Sequence, residues 1–79
     1  MTYVYIIVSK RLEGFHYVGI TKDLRARLNA HNTGKSIHTA PFKPWRLESY
    51  IAFSNEQKAR KFEKYLKHGS GHAFLKRHL

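Results

Sequence analysis

The 79 residues suffice for one domain and leave no room for a second apolar core. Fifteen Lys and Arg against five Asp and Glu give a formal net charge of +10, and the absence of cysteine excludes disulfides and thiolate metal sites. Such a field favours polyanions, so nucleic acid is the first expected partner; no signal-peptide pattern occurs, and the longest strictly apolar run, Val4 to Val8, is far below the ~20 residues of a membrane helix.

Thr2 to Val8 is β-branched and aromatic without Gly or Pro, which predicts a strand buried on both faces. Tyr3, Tyr5 and Ile7 share one face of it, and Val4, Ile6 and Val8 the other. Lys10 to Gly14 reads as a polar turn and Phe15 to Ile20 as a second strand. The short connection suits an antiparallel hairpin. Thr21 or Asp23 can cap a helix from about Leu24 to Asn32, with Leu24 and Leu28 as its apolar stripe and Gly34 as its stop. Lys35 to Pro44 is a basic connection with two prolines. Trp45 to Phe53 is a third strand with Trp45 and Leu47 turned inward and Ile51 and Phe53 as further inward candidates. Ser54, with Gln57 three residues on, has the capping-box pattern for a longer helix whose buried face is Ala59, Phe62 and Leu66. Gly69 ends it, and Ser70 can cap a last short helix with Phe74 and Leu75. The expected fold is a single small α/β domain of the α+β kind: a three-stranded, mostly antiparallel sheet flanked by helices. The aromatic residues run through the whole chain and read as core, so a membrane surface ranks well behind nucleic acid, and a cytoplasmic location is expected.

Tyr3-Val4-Tyr5 and Tyr17-Val18-Gly19 resemble the two half-motifs of the GIY-YIG nuclease family, at the separation that family shows. Gly19-Ile20-Thr21 with Leu24, Arg27, Leu28, His31 and Asn32 resembles its first helix. Ala59-Arg60-Lys61-Phe62-Glu63 resembles its later block, where a glutamate sits on a helix. The segment from Lys67 to Leu75 is similar to the tail of the small stand-alone bacterial members, so the likeness spans the chain. Tyr3 stands where the family name has glycine, a position that, as the resemblance implies, is loosely held in small members. Each half-motif alone is unspecific, whereas the ordered set in agreeing strand and helix contexts is specific.

The resemblance implies a metal-dependent endonuclease acting on nucleic acid, with DNA ahead of RNA. It also implies a site of Tyr5, Tyr17, Arg27, His31 and Glu63. Glu63 is the expected ligand of one divalent ion, Mg or Mn, since magnesium is commonly held by one or two carboxylates completed by water and phosphate. Read without the family, Glu63 is a solvated helix acid paired with Arg60, Lys64 or Lys67. Arg27 and His31 are four apart and project from one side of a helix. A guanidinium grips phosphate oxygens by two hydrogen bonds, and a histidine relays a proton near neutral pH. Without the family, Arg27 is one basic residue among many and His31 a polar residue near a helix end. Tyr5 is expected to accept the proton of water with Tyr17 as its orienting partner, although two ordinary sheet aromatics would read the same way. Gly19 either allows close backbone approach beside the site or marks a strand end. Lys35, His38, Lys43 and Arg46 are candidates to track a phosphate backbone; an ordinary solvated basic loop is the alternative.

His68 and His72 have ligand spacing, but Gly69-Ser70-Gly71 between them breaks a helix, which speaks against zinc. Two other function classes fit the charge: a nucleic-acid-binding module that does not cut, and a basic structural component of a ribonucleoprotein. Neither has a use for Glu63, which repels phosphate unless a cation intervenes. Larger nucleases of this type look as if attached DNA-binding domains supply their specificity. None is seen here, so weak sequence discrimination or a protein partner supplying specificity is expected.

Overall fold

In the computed structural model, which describes residues 1–68, 71 and 75–77, the N-terminal apolar run forms strand β1, Thr2–Ser9. β2 is His16–Thr21, α1 Leu24–Asn32, β3 Trp45–Phe53 and α2 Glu56–Lys67, with a 3₁₀ turn at Ala40–Phe42 before β3. The strand order is β2-β1-β3, and β1 pairs antiparallel with both neighbours. β1 is therefore central, and both its faces must be covered.

Alternation along β1 divides the core into two layers. Val4 and Ile6 pack with Val18, Ala59, Leu66 and Leu75, and Phe53 and Phe62 close that layer on the α2 side. Tyr5 and Ile7 pack with Trp45, and Tyr17, Leu24, Leu28, Phe42 and Leu47 close the layer on the α1 side. The result is helix, sheet, helix. The expected inward residues of β3 split between the layers because the register breaks: Ile6 opposes Ser49 and Ile7 opposes Leu47, leaving Glu48 as an extra residue. A one-residue insertion switches every later side chain to the other face. Trp45 and Leu47 thus meet the α1 layer and Phe53 the α2 layer. Ile51, a candidate for the interior, is exposed instead.

Local chemistry sets the helix ends. Asp23 caps α1 by accepting from the Ala26 N–H at 3.0 Å, while Thr21 accepts from the Asp23 N–H one step earlier. At the other end Gly34 takes φ +78°, a left-handed conformation that glycine adopts without penalty. Lys35 N–H then donates to the Ala30 carbonyl and Gly34 N–H to the His31 carbonyl, the paired bonds of a Schellman stop. For α2 the expected cap shifts by one residue. Asn55, not Ser54, accepts from the Lys58 N–H, and Asn is as good a cap as Ser. Leu75 is buried and residues 75–77 are helical, as expected; Gly69, Ser70, His72 and Phe74 lie outside the described residues.

One further clamp brings α1 to the sheet. The Asn32 side chain accepts from the Trp45 N–H and donates to the Trp45 carbonyl, so it acts as a strand would against the start of β3. The C-terminal turn of α1, which carries His31, is thereby tied to the sheet. Leu66 is wholly buried in the opposite layer. Leu66→Ala should cost about 2–5 kcal/mol, read from urea unfolding. A loss below about 1 kcal/mol would mean that α2 is not closely packed on β1.

Candidate active site

The site grows from the cross-strand pair Tyr5 and Gly19. Tyr5 points into the α1 layer with 3 % of its surface exposed, and its ring lies directly over Gly19. A Cβ at Gly19 would collide with the Tyr5 hydroxyl and ring carbons. Gly19 is therefore required as open space, which settles the choice between close approach and strand end.

Above Tyr5 sits His31, on the inward side of the last turn of α1 and 1 % exposed. Its Nε2 lies 2.8 Å from the Tyr5 hydroxyl and its Nδ1 lies 2.7 Å from the Thr39 hydroxyl. Both ring nitrogens thus have partners in a place water does not reach. The Tyr17 ring meets His31 edge-on at 5.4 Å between centroids, and Trp45 closes the far side at 6.4 Å. The reading of His31 as a helix-end residue facing its dipole does not describe this packing. Burial, and then the nearby Arg27 charge, hold its imidazole below the ordinary value. Burial pushes the Tyr5 hydroxyl well above the ordinary phenol range; Tyr17 adds to the shift, Arg27 offsets part of it and Glu63 adds again.

Arg27 and Glu63 are the two ionic groups that influence the Tyr5 hydroxyl. Arg27 is exposed one helical turn before His31, yet its charge acts on both His31 and Tyr5. Glu63 comes from α2 beneath the sheet and also acts on Tyr5. Its carboxylate pairs with Lys67 at 3.0 Å, and the Lys67 ammonium lies 5.2 Å from the centre of the Tyr17 ring. The helix-acid partner foreseen for Glu63 is therefore real, and the pair borders Tyr17. Tyr5, Tyr17 and His31 are in direct contact, and Lys67 links Glu63 to Tyr17.

Among the described residues no three His, Asp or Glu side chains gather around a common point. The candidate zinc ligand His72 lies outside the described residues. A lone carboxylate fits a hard ion that keeps most of its water, of the magnesium or manganese kind.

The basic candidates divide. Lys35 and His38 are exposed on the connection after α1, and the Lys43 ammonium lies beside the Gly34 turn. Arg46 pairs with Glu48 at 2.9 Å, so part of its charge is neutralised within β3. Thr39, next to His38, is the residue that the sequence did not reveal. A threonine in an aperiodic polar loop carries no pattern, and only the folded loop brings it to His31.

Residues 1–75 match the family model described as the GIY-YIG catalytic domain. A UPF0213 protein of Streptococcus agalactiae serotype V is 35% identical over 78 residues, covering 94% of this chain and 89% of that protein. A UPF0213 protein of Lacticaseibacillus paracasei is 35% identical over 80 residues, covering 96% of this chain and 88% of its own. No solved structure matches the chain at a significant level. No helix among the described residues is long and apolar enough to cross a membrane.

Gly19→Ala should force Tyr5 out of its place and break the bond to His31. The expected cost is about 1–3 kcal/mol in urea unfolding, and an unchanged midpoint would contradict the close approach. His31 also predicts a pH dependence. Its ordinary value is 6.5 and the folded value is lower, so below 6.5 the unfolded chain binds a proton that the folded chain refuses. Stability should therefore be flat with respect to His31 above about pH 7.5 and should fall as pH drops toward about 5. Tyr5, Tyr17, Thr39, Trp45 and Arg27 are the groups that face the ring, and the last is the one cation among them. Denaturation midpoints of the wild type and His31→Gln across that range check it: the variant should show the shallower fall.

Proposed function

The chain belongs to the GIY-YIG family, whose members are nucleases, and on that premise we propose that it is a metal-dependent endonuclease that hydrolyses phosphodiester bonds, in DNA ahead of RNA. The observation that carries the reading is the buried Tyr5–His31 hydrogen bond lying within the reach of both the Arg27 and the Glu63 charges.

Hydrolysis needs an activated water, neutralised phosphoryl oxygens and help for the leaving oxygen. Tyr5 cannot supply a free phenolate, because burial strongly disfavours that anion. It can still take a proton from water if it gives up its own to His31 at the same time. The Tyr5 oxygen then stays neutral throughout, and His31 holds the proton on Nε2. Tyr17, packed against His31, keeps the imidazole in line with Tyr5. Arg27 is exposed at the rim, where a guanidinium can bind two phosphoryl oxygens and offset the charge that develops on them. Glu63 would hold the divalent ion, which when bound supplies further charge neutralisation and stabilises the departing oxygen. Lys35, His38 and Lys43 would follow the phosphate backbone away from the cut, and Arg46 less so because Glu48 holds it.

The Glu63–Lys67 ion pair favours a second reading, a module that binds nucleic acid without cutting it. Both readings predict salt-sensitive binding, because counterion release accompanies any such contact. They part on Glu63. The test incubates the protein with single-stranded, duplex and branched DNA and with RNA, in magnesium, manganese or chelator, alongside Glu63→Ala and Arg27→Ala. Each variant should lose about a hundredfold or more in cleavage while retaining most of its binding. If Glu63→Ala and the wild type behave alike on every substrate, the protein is a binder and the nuclease reading is wrong.

A further inference from the structure

His31 is a neutral imidazole in the resting protein, and a neutral imidazole has one N–H and one lone pair. Which nitrogen carries the proton decides which way the bond to Tyr5 runs. Two features bear on it. The Thr39 hydroxyl is 2.7 Å from His31 Nδ1 and 3.4 Å from the Ser36 carbonyl, so it can turn its proton toward that carbonyl and offer Nδ1 a lone pair. At the other end, the Tyr5 hydroxyl is buried, and His31 Nε2 is its hydrogen-bond partner among the described residues. A phenol proton in that position has Nε2 as its acceptor. Both ends favour the proton of His31 on Nδ1.

We propose that Thr39 is a positioning residue: its hydroxyl fixes the proton of His31 on Nδ1 and leaves the Nε2 lone pair facing Tyr5. The loop is built to hold it there. Thr39 is 1 % exposed, and its own carbonyl accepts from the Trp45 indole N–H at 2.9 Å and from the Phe42 N–H at 3.1 Å. Its N–H and that of Ala40 both donate to the Ser36 carbonyl. The backbone around Thr39 is thereby fixed from both sides, and its hydroxyl has one place to be. With the opposite tautomer, Nε2–H would point at Tyr5, and the relay would have no lone pair to receive the phenol proton. The basic connection after α1 thus serves as the second support of a buried histidine, in addition to any contact with a polyanion.

The tautomer is a property of the folded protein whether or not it cuts nucleic acid; only the kinetic consequence rests on the nuclease reading. Thr39→Val keeps the size and the backbone bonds but removes the hydroxyl, and Thr39→Ser restores it. Nitrogen-15 shifts and two-bond couplings of the His31 ring, measured in the free protein at neutral pH, should show Nδ1–H in the wild type and in Thr39→Ser. In Thr39→Val they should shift toward Nε2–H, with an amide spectrum that remains dispersed. Cleavage by Thr39→Val should fall about tenfold to a hundredfold in kcat with little change in KM, and Thr39→Ser should recover it. A wild-type ring protonated on Nε2, or a Thr39→Val ring unchanged from wild type, overturns the proposal. A normal tautomer shift in a protein that cleaves nothing upholds the role of Thr39 and overturns the nuclease reading instead.

Discussion

The placement of one histidine organises half of this molecule. An imidazole that is 1 % exposed must have both nitrogens hydrogen-bonded, because an unpaired buried polar atom costs about 1–3 kcal/mol. Tyr5 meets that need from the sheet and Thr39 from the loop. Three separate stretches of chain are thereby brought to one ring. Each has its own anchor: Gly19 makes room for Tyr5, the Schellman stop and Asn32 hold the last turn of α1, and the Trp45 indole holds Thr39. In a domain too small for a large apolar core, a fully satisfied polar centre gives a single geometry at little cost in stability.

Around that centre the charges are arranged by depth. The interior holds groups that are neutral at rest, Tyr5, His31 and Thr39, beneath Trp45, Leu24 and Leu28. The rim holds Arg27 from one side of the sheet and the Glu63–Lys67 pair from the other. An ion pair four residues apart on a helix contributes little to stability, about 0.3–0.5 kcal/mol. Its importance lies in where it puts a carboxylate. A chain of net charge +10 has few acids, and most of them serve local ends: Asp23 caps α1, Glu48 pairs with Arg46, and Glu56 pairs with Lys22 and Arg60. Glu63 is the acid whose charge reaches the buried tyrosine.

The elements are legible in the sequence because their signals are local. The β-branched run of β1, the Asp23 cap and Gly34 stop of α1, and the span of β3 all follow from side-chain chemistry within a few residues. The buried faces of β1 and α2 follow from periodicity. The misses are non-local. Asn55 displaces Ser54 as a cap because two good capping residues stand side by side, and only the entry angle of the chain selects between them. The register break at Glu48, which sends Phe53 to one layer and Trp45 to the other, depends on pairing with β1 and leaves no mark in β3 itself. Thr39 is the same case at the candidate site. The family pattern points to Tyr5, Tyr17, Arg27, His31 and Glu63, but a hydroxyl that acts through a second side chain from an aperiodic loop has no spacing to betray it.

The two buried titrating groups make sense only as a pair. Tyr5 alone is a poor base, since its burial penalises the phenolate, and a lone buried histidine at this depth would sit far from any water it could activate. Coupled through one hydrogen bond, each removes the difficulty of the other. On the nuclease reading, the tyrosine hands its proton to the histidine as it receives one, and so does not become charged. The depressed imidazole then has a second consequence. Burial and Arg27 make the protonated ring unfavourable, so on the nuclease reading a proton delivered to it would be readily surrendered after cleavage. A histidine with its ordinary affinity would be the stronger acceptor but the slower to reset. On the nuclease reading, the same desolvation that forbids a phenolate at Tyr5 also returns His31 to its neutral state for the next turnover.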